Sequence, residues 1–251
     1  MFCPLSLALV LFAQPDLGLP AGPIEPARVE HFVLEDHAPE GARPVAVVAL
    51  RRVQVGAGLL LEQELVFRES GLRILIDEHH DLPGEARSPR LVWRELRSSP
   101  GTGRTWLAEW DPIVGDVVTA NHGTRSPVHG SLPGAEPLFP LALIEALRAG
   151  EPLTSVETLD PLGRARVKLE VHSSSDGERR AVELRRQDGS LAARYVFLRG
   201  ALMELKFQAG RRVGRPCDRA EFERLSGRWK VRFEPLEDLR ALARRPRARP
   251  R

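Results

Sequence analysis

Most of this 251-residue chain consists of short segments in which apolar and polar residues alternate. A period of two places apolar side chains on one face of a β-strand and polar side chains on the other. The segment GLLLEQELVFRES is an example, because Leu59, Leu61 and Leu65 fall on one face. The opposite face of the same segment carries Glu62 and Glu64. The chain is therefore constrained to bury one face of an extended sheet.

The same alternation recurs on both sides of residues 121–136, a connecting stretch rich in Gly, Pro and Ser. Turn signals separate the segments, among them Ser70-Gly71, SSDG, QDGS and Arg199-Gly200. Many strands at hairpin spacing predict an antiparallel meander rather than a parallel α/β fold. We therefore predict a mainly β protein: one curved antiparallel sheet or incomplete β-barrel, with a central helix on its concave face and short C-terminal helices.

Composition divides the chain into four parts. Residues 1–21 contain an apolar run that is too short to span a bilayer as a helix but suits a secretory signal peptide. Residues 22–43 are rich in Pro, Gly and acidic residues, which predicts an extended linker. We expect the half-barrel domain over residues 44–234 and a basic tail over residues 235–251.

Charge and cysteine usage narrow the function classes. The formal net charge is +3, and the positive charge comes almost wholly from Arg, as in a chain encoded by a GC-rich genome, so we expect no specific nucleic-acid partner. Cleavage of the signal would remove Cys3 and leave Cys217 alone, which excludes a disulfide framework and argues against a Cys-based metal site. No later segment is apolar for about 18 residues, so we expect no transmembrane segment in the mature chain. These features predict a periplasmic or secreted protein without a cofactor.

The phrase EPLFPLALIEALRAGEP has a helical rather than a strand pattern. Pro140 suits the first turn of a helix, Gly150 suits its end, and Pro152 prevents its continuation. We predict a helix over residues 138–150 whose apolar stripe packs against the concave face of the sheet. The stripe consists of Leu141, Leu143, Ile144 and Leu147. A second, short helix is predicted from Asp218 as N-cap, with Glu221 three residues later.

The helical phrase and the hairpins that follow it resemble bacterial envelope proteins of the lipoprotein-carrier-like group. These are half-barrel or β-spiral proteins, and some are envelope-integrity proteins. The matching residues are Leu138, Phe139, Pro140, Leu143, Ile144, Ala146, Ala149, Gly150 and Glu151. The related phrase often has Thr-x-His after its Pro, where this chain has Leu141-Ala142-Leu143, so no role of that His transfers. The resemblance implies a periplasmic protein with a concave apolar groove, crossed by a helix, that binds an acyl chain or a protein partner.

The leading hypothesis is a non-enzymatic envelope protein that binds a lipid, an acyl chain or an envelope protein in this groove. Three Trp residues from two neighbouring predicted strands should cluster there, either as core or as a ligand platform. The candidate groove residues are Trp93, Trp106, Trp110, Phe139, Leu141, Ile144 and Leu147. Residues 121–136 would gate the groove.

Two enzyme hypotheses rest on His residues. In Asp77-Glu78-His79-His80-Asp81, His79 and His80 are competent metal ligands, although the sequence favours a solvated loop over a metal site. The segment 121–131 contains Ser126 between two His residues and could serve a hydrolase, but no nucleophile-elbow motif surrounds the Ser. A polar connector that leads into the helix is the preferred explanation of that segment.

The basic tail suggests a further alternative, a structural adaptor. Its Arg residues would contact anionic lipid or polymer surfaces of the cell envelope through nonspecific electrostatics. A frayed, solvated terminus is the other explanation. The residues concerned are Arg244, Arg245, Arg247 and Arg249.

Overall fold

The computed structural model of the chain describes residues 27–39, 41–55, 58–81, 89–96, 104–111, 113–114, 116–121, 124–127, 137–160, 165–207 and 212–227. The strands are β1 Arg28–Ala38, β2 Gly41–Val55, β3 Gly58–Phe67, β4 Arg73–His80, β5 Arg90–Leu96, β6 Arg104–Asp111, β7 Asp116–Asn121, β8 Thr124–Pro127, β9 Ser155–Asp160, β10 Ala165–Asp176, β11 Arg179–Arg185, β12 Leu191–Leu198, β13 Ala201–Phe207 and β14 Arg212–Pro216. The helices are α1 Pro140–Ala149 and α2 Arg219–Ser226.

The fourteen described strands form one antiparallel sheet, which confirms the mainly β prediction. The strand order is β8-β7-β6-β5-β4-β3-β2-β1-β14-β13-β12-β11-β10-β9. Two meanders, β1–β8 and β9–β14, are therefore joined side by side where β1 pairs with β14. In the described residues the edge strands β8 and β9 do not pair with each other, so the sheet is not closed into a barrel.

Residues 28–38 form β1, so the prediction of a linker over residues 22–43 is wrong for them and for residues 41–43, which begin β2. The Pro-rich composition of the preceding residues concealed an alternating pattern in the strand itself. Phe32 and Leu34 face the main core, whereas Val33 faces the opposite side of the sheet. Backbone pairing with both β2 and β14 places β1 in the middle of the sheet.

The sheet is strongly curved. Fourteen strands about 4.8 Å apart would extend roughly 60 Å if flat. Instead, side chains from β1–β7 and β9–β13 meet α1 in one buried cluster. The two ends of the sheet also touch, because Arg166 on β10 donates a hydrogen bond of 2.9 Å to the Asp116 carboxylate on β7. The same guanidinium binds Glu157 and lies 5.9 Å from the centre of the Trp110 ring.

The predicted division of β3 into two faces is confirmed. Leu59, Leu61 and Leu65 belong to the main core on the concave face. Glu62 and Glu64 lie on the other face but are buried rather than solvated, at 5% and 0% exposure.

Arginines on neighbouring strands compensate these two buried carboxylates. Arg51 of β2 binds Glu62, and Arg73 of β4 binds Glu64. A buried carboxylate requires such a partner, because an unpaired charge is very unfavourable away from water.

Helix α2 covers part of this convex face. Phe222 and Leu225 pack against Val33, Val47 and other aliphatic residues of β1–β3. The predicted N-cap is confirmed, since the Asp218 side chain accepts a hydrogen bond of 2.7 Å from the Glu221 backbone. The sheet is thus covered on both sides, by α1 inside and α2 outside. In the described part of the chain, neither helix is long and apolar enough to cross a membrane.

Gly214 of β14 lies where the two meanders meet. Its position faces Leu205 of β13 and Leu34 of β1, which are its cross-strand partners. A Cβ atom at this position would lie 2.6 Å from Leu205 and 2.9 Å from Leu34. The absence of a side chain therefore lets these two core leucines approach each other across the central strand.

We predict that Gly214→Ala lowers the free energy of unfolding by about 1–3 kcal/mol, the usual range for overpacking a core. Denaturant unfolding monitored by circular dichroism measures the change. Leu205→Ala should be destabilising alone, but its effect should be smaller when it is combined with Gly214→Ala, because it removes the clashing atoms. Simple additivity of the two substitutions would contradict this explanation.

Candidate functional site

Helix α1 occupies the concave face of the sheet, where the sequence predicts it. It begins at Pro140 and ends at Ala149, with Gly150 in the left-handed conformation at φ 86° as the C-cap. The Leu138 backbone donates a 3.0 Å hydrogen bond to the Glu157 carbonyl, which attaches the residues before the helix to edge strand β9. The N-cap residue, Phe139, has no side-chain oxygen with which to cap the helix.

Glu78 of β4 supplies the missing cap from across the concavity. Its carboxylate accepts hydrogen bonds from the backbone N–H groups of Leu141 at 2.7 Å and Ala142 at 2.9 Å. Pro140 has no N–H, and the Leu143 N–H donates to the Phe139 carbonyl. Every backbone donor in the first turn is therefore satisfied.

The position also suits a negative charge. The N-terminus of an α-helix carries partial positive charge, which stabilises a carboxylate placed there. Glu78 is fully buried, and a charged hydrogen bond is strong where water is excluded. This side chain thus fixes the N-terminus of α1 on β4.

Ion pairs hold the other end of α1. Arg148 in the last turn binds Glu30 of β1 at 2.5 Å and Glu145 of its own helix at 2.9 Å. Glu145 also pairs with Arg52 of β2 at 3.4 Å. A cation near the helix C-terminus is favourable for the same electrostatic reason as an anion near the N-terminus.

The structure brings all seven predicted groove residues together. They are at most 9% exposed and belong to one cluster with the helix stripe. Trp93 and Trp106 are cross-strand neighbours whose rings stack with centroids 6.3 Å apart. In the described residues the concavity is therefore filled by α1 and these side chains, and the Trp residues serve as core around the helix.

The Asp77–His80 segment is strand rather than the solvated loop that the sequence favours, because β4 continues to His80. His79 and His80 fall on opposite faces of that strand. His79 Nδ1 lies 3.0 Å from an Arg90 guanidinium nitrogen, and His80 Nε2 lies 3.4 Å from the Glu78 carboxylate. Among the described residues, no three His, Cys, Asp or Glu side chains are grouped so that they could hold a metal ion.

The other predicted sites lie mostly outside the described residues. Ser126 is placed in β8, where it pairs with Thr119 of β7. Residues 122–123 and 128–131, with the two His residues of the hydrolase hypothesis, lie outside the described part of the chain, as does the basic tail. The signal peptide at residues 1–21 is outside it as well.

Sequence reasoning missed the role of Glu78, although two signals point to it. Ile74, Ile76 and Glu78 share one face of β4 by their period of two, so the carboxylate must point into the core. The helical phrase, in turn, has no Ser, Thr, Asp or Asn before Pro140 to act as N-cap. An inward carboxylate and an uncapped helix each lack a partner, and together they predict the contact.

No family model matches the sequence, and no curated protein matches it significantly. Among solved structures, the chain is similar to a β-barrel-like protein of a domain of unknown function from Brucella abortus. The sequence identity is 13% and the TM-score is 0.46, with 76% of this chain and 93% of that protein covered. The fold class described above rests on the strands and their pairing in this chain.

We predict that Glu78→Gln lowers the free energy of unfolding by about 1–3 kcal/mol, the range for removing a partner from buried hydrogen bonds. The amide directs an NH₂ group at one of the two helix N–H donors and removes the charge that the helix terminus stabilises. Urea unfolding measures the effect. Glu178→Gln, at an exposed turn where Glu178 pairs with Arg199, is the matched control and should change stability by less than about 0.5 kcal/mol. Equal stability of the two variants would contradict the capping role.

Proposed function

We propose that this chain is an exported, non-enzymatic protein of the bacterial cell envelope that binds an acyl chain in the concavity occupied by α1. The observation that supports this proposal is that an amphipathic helix, rather than the sheet itself, fills the concave face, where its apolar stripe and polar contacts at its two ends hold it. Displacement of α1 would uncover a trough lined by Trp93, Trp106 and Trp110. In this mechanism α1 is a plug that exchanges with the ligand.

The energies of the two occupants are similar. Burial of a large aliphatic side chain is worth about 1.5–3 kcal/mol, so the four-residue stripe of α1 contributes about 6–12 kcal/mol in place. A chain of about 15 methylene groups gains about 12 kcal/mol at about 0.8 kcal/mol each. A long acyl chain therefore offsets the loss of the helix contacts, whereas a chain of a few carbons does not.

The polar contacts of α1 make the exchange selective. The Glu78 cap and the Arg148 ion pairs must break before the stripe leaves the sheet. They set the fraction of molecules in which the trough is accessible, and that fraction scales the apparent affinity for a ligand. Weakening either end of α1 should thus strengthen ligand binding while it weakens the fold.

A titration of the full chain with a dansyl-labelled long-chain fatty acid tests the plug mechanism. We expect saturable binding by the unmodified protein and about tenfold tighter binding by Glu78→Gln, since about 1.4 kcal/mol corresponds to a factor of ten. Glu178→Gln should bind like the unmodified protein. Circular dichroism checks that each variant is folded at the assay temperature.

Two results would contradict the proposal. Equal affinities of the unmodified protein and Glu78→Gln would exclude displacement of α1 by the ligand. A lack of binding by both would exclude the acyl-binding function and favour the structural-adaptor hypothesis, in which the filled concavity is simply a core.

Export is the other part of the proposal, and it rests on the apolar run within residues 1–21. Expression of the whole chain in a bacterial host, followed by mass spectrometry of the periplasmic fraction, measures it. We expect a mature N-terminus just after Ala13 or Ala21. An intact chain that stays in the cytoplasm would contradict it.

A further inference from the structure

A cleft opens between one side of α1 and strands β1–β3. Its rim carries five charged residues from three elements, and we call this group the arginine cleft: Arg28, Glu30, Arg52, Glu145 and Arg148. The floor next to them is apolar and includes Leu61 of β3 and Leu141 and Ile144 of α1. The cleft thus borders the same helix stripe that fills the concavity.

Positive charge exceeds negative charge in the arginine cleft. Arg148 binds both carboxylates, Glu30 at 2.5 Å and Glu145 at 2.9 Å. Arg28 shares Glu30 at 2.7 Å, and Arg52 shares Glu145 at 3.4 Å. Three guanidinium groups therefore share two carboxylates, which leaves one positive charge uncompensated within the group.

Burial divides the three arginines into two roles. The Arg148 side chain is only 10% exposed, so it serves to hold α1. The Arg28 and Arg52 side chains are 48% and 36% exposed and are reachable from solvent. Arg51 and Glu62, which also line the cleft, bind each other and add no net charge.

We propose that the arginine cleft binds the headgroup of a long-chain carboxylate, with Arg28 and Arg52 as its ligands. This inference rests on the proposed function, because the acyl chain would follow the apolar floor to the position of the α1 stripe. Guanidinium groups bind carboxylates through paired, charge-assisted hydrogen bonds. A single excess positive charge matches a monoanion, which favours a carboxylate over the doubly charged phosphate monoester.

The test compares laurate, dodecanol and dodecyl phosphate as ligands of the full chain by calorimetry at low ionic strength, where exposed charges are least screened. We expect laurate to bind at least about tenfold more tightly than dodecanol. The double variant Arg28→Gln/Arg52→Gln should lose most of that preference, whereas its affinity for dodecanol should not fall, because loss of the Arg52–Glu145 pair loosens α1. Arg199→Gln, at an exposed turn where Arg199 pairs with Glu178, is the matched control and should keep the preference.

A second variant separates headgroup recognition from loosening of the helix. Glu145→Gln removes a carboxylate that pairs with Arg52. The affinity for laurate relative to that for dodecanol should therefore rise by a further factor of a few. If the variant only loosened α1, the affinities for both ligands would increase by the same factor. The decisive quantity is therefore the ratio of the two dissociation constants, which would then stay unchanged.

The outcomes distinguish the two proposals. If dodecanol binds and no variant changes the laurate-to-dodecanol ratio, the headgroup inference is wrong and the acyl-binding function stands. If dodecyl phosphate binds more tightly than laurate, the assignment to a carboxylate is wrong. If neither laurate nor dodecanol binds, even to Glu78→Gln, both proposals fail.

Discussion

The carboxylate of Glu78 supplies both acceptors that the first turn of α1 requires, and it does so from a strand 63 residues earlier in the chain. No side chain of the helix phrase itself performs this task. Because α1 fills the concavity, strands of both meanders pack against the same helix. The Glu78 carboxylate sets where the helix begins on the sheet, and core residues on both sides of the β1–β14 pair pack around that helix. Within the described residues this contact joins the N-terminus of α1 to β4.

The face assignments were predictable because they depend only on neighbouring residues in the chain. Leu59, Leu61 and Leu65 reach the core because alternate side chains of any strand point the same way. The boundaries of α1 were predictable for a similar reason, since Pro140 and Gly150 act on their own backbone. Glu78 was not recognised, because its function appears only when a strand and a distant helix are considered together. The residues that pack around α1 were therefore identified from local patterns, whereas the carboxylate that caps the helix was not.

The convex face shows a different limit of sequence reasoning. Glu62 and Glu64 lie on the polar face of β3 in the sequence pattern, yet both are buried and paired with Arg. The pattern of one strand indicates two faces but does not tell how many of them are covered. Strand β1 was not predicted, because the Pro-rich residues before it dominated the composition of residues 22–43 and suggested a linker. Burial on both faces and the exact start of the sheet are properties of the assembled strands.

The pairing of β1 with β14 has a consequence for how the chain folds. A strand that begins at Arg28 acquires one of its two neighbours only when residues 212–216 are present. Proteins dominated by contacts between residues far apart in sequence fold slowly, because long loops must close before the contacts form. The N-terminal meander can therefore assemble early, but its first strand keeps an open edge until nearly the whole described chain is available. The pairing that joins the two meanders is therefore the last to become possible, although each meander can form its own hairpins from local contacts.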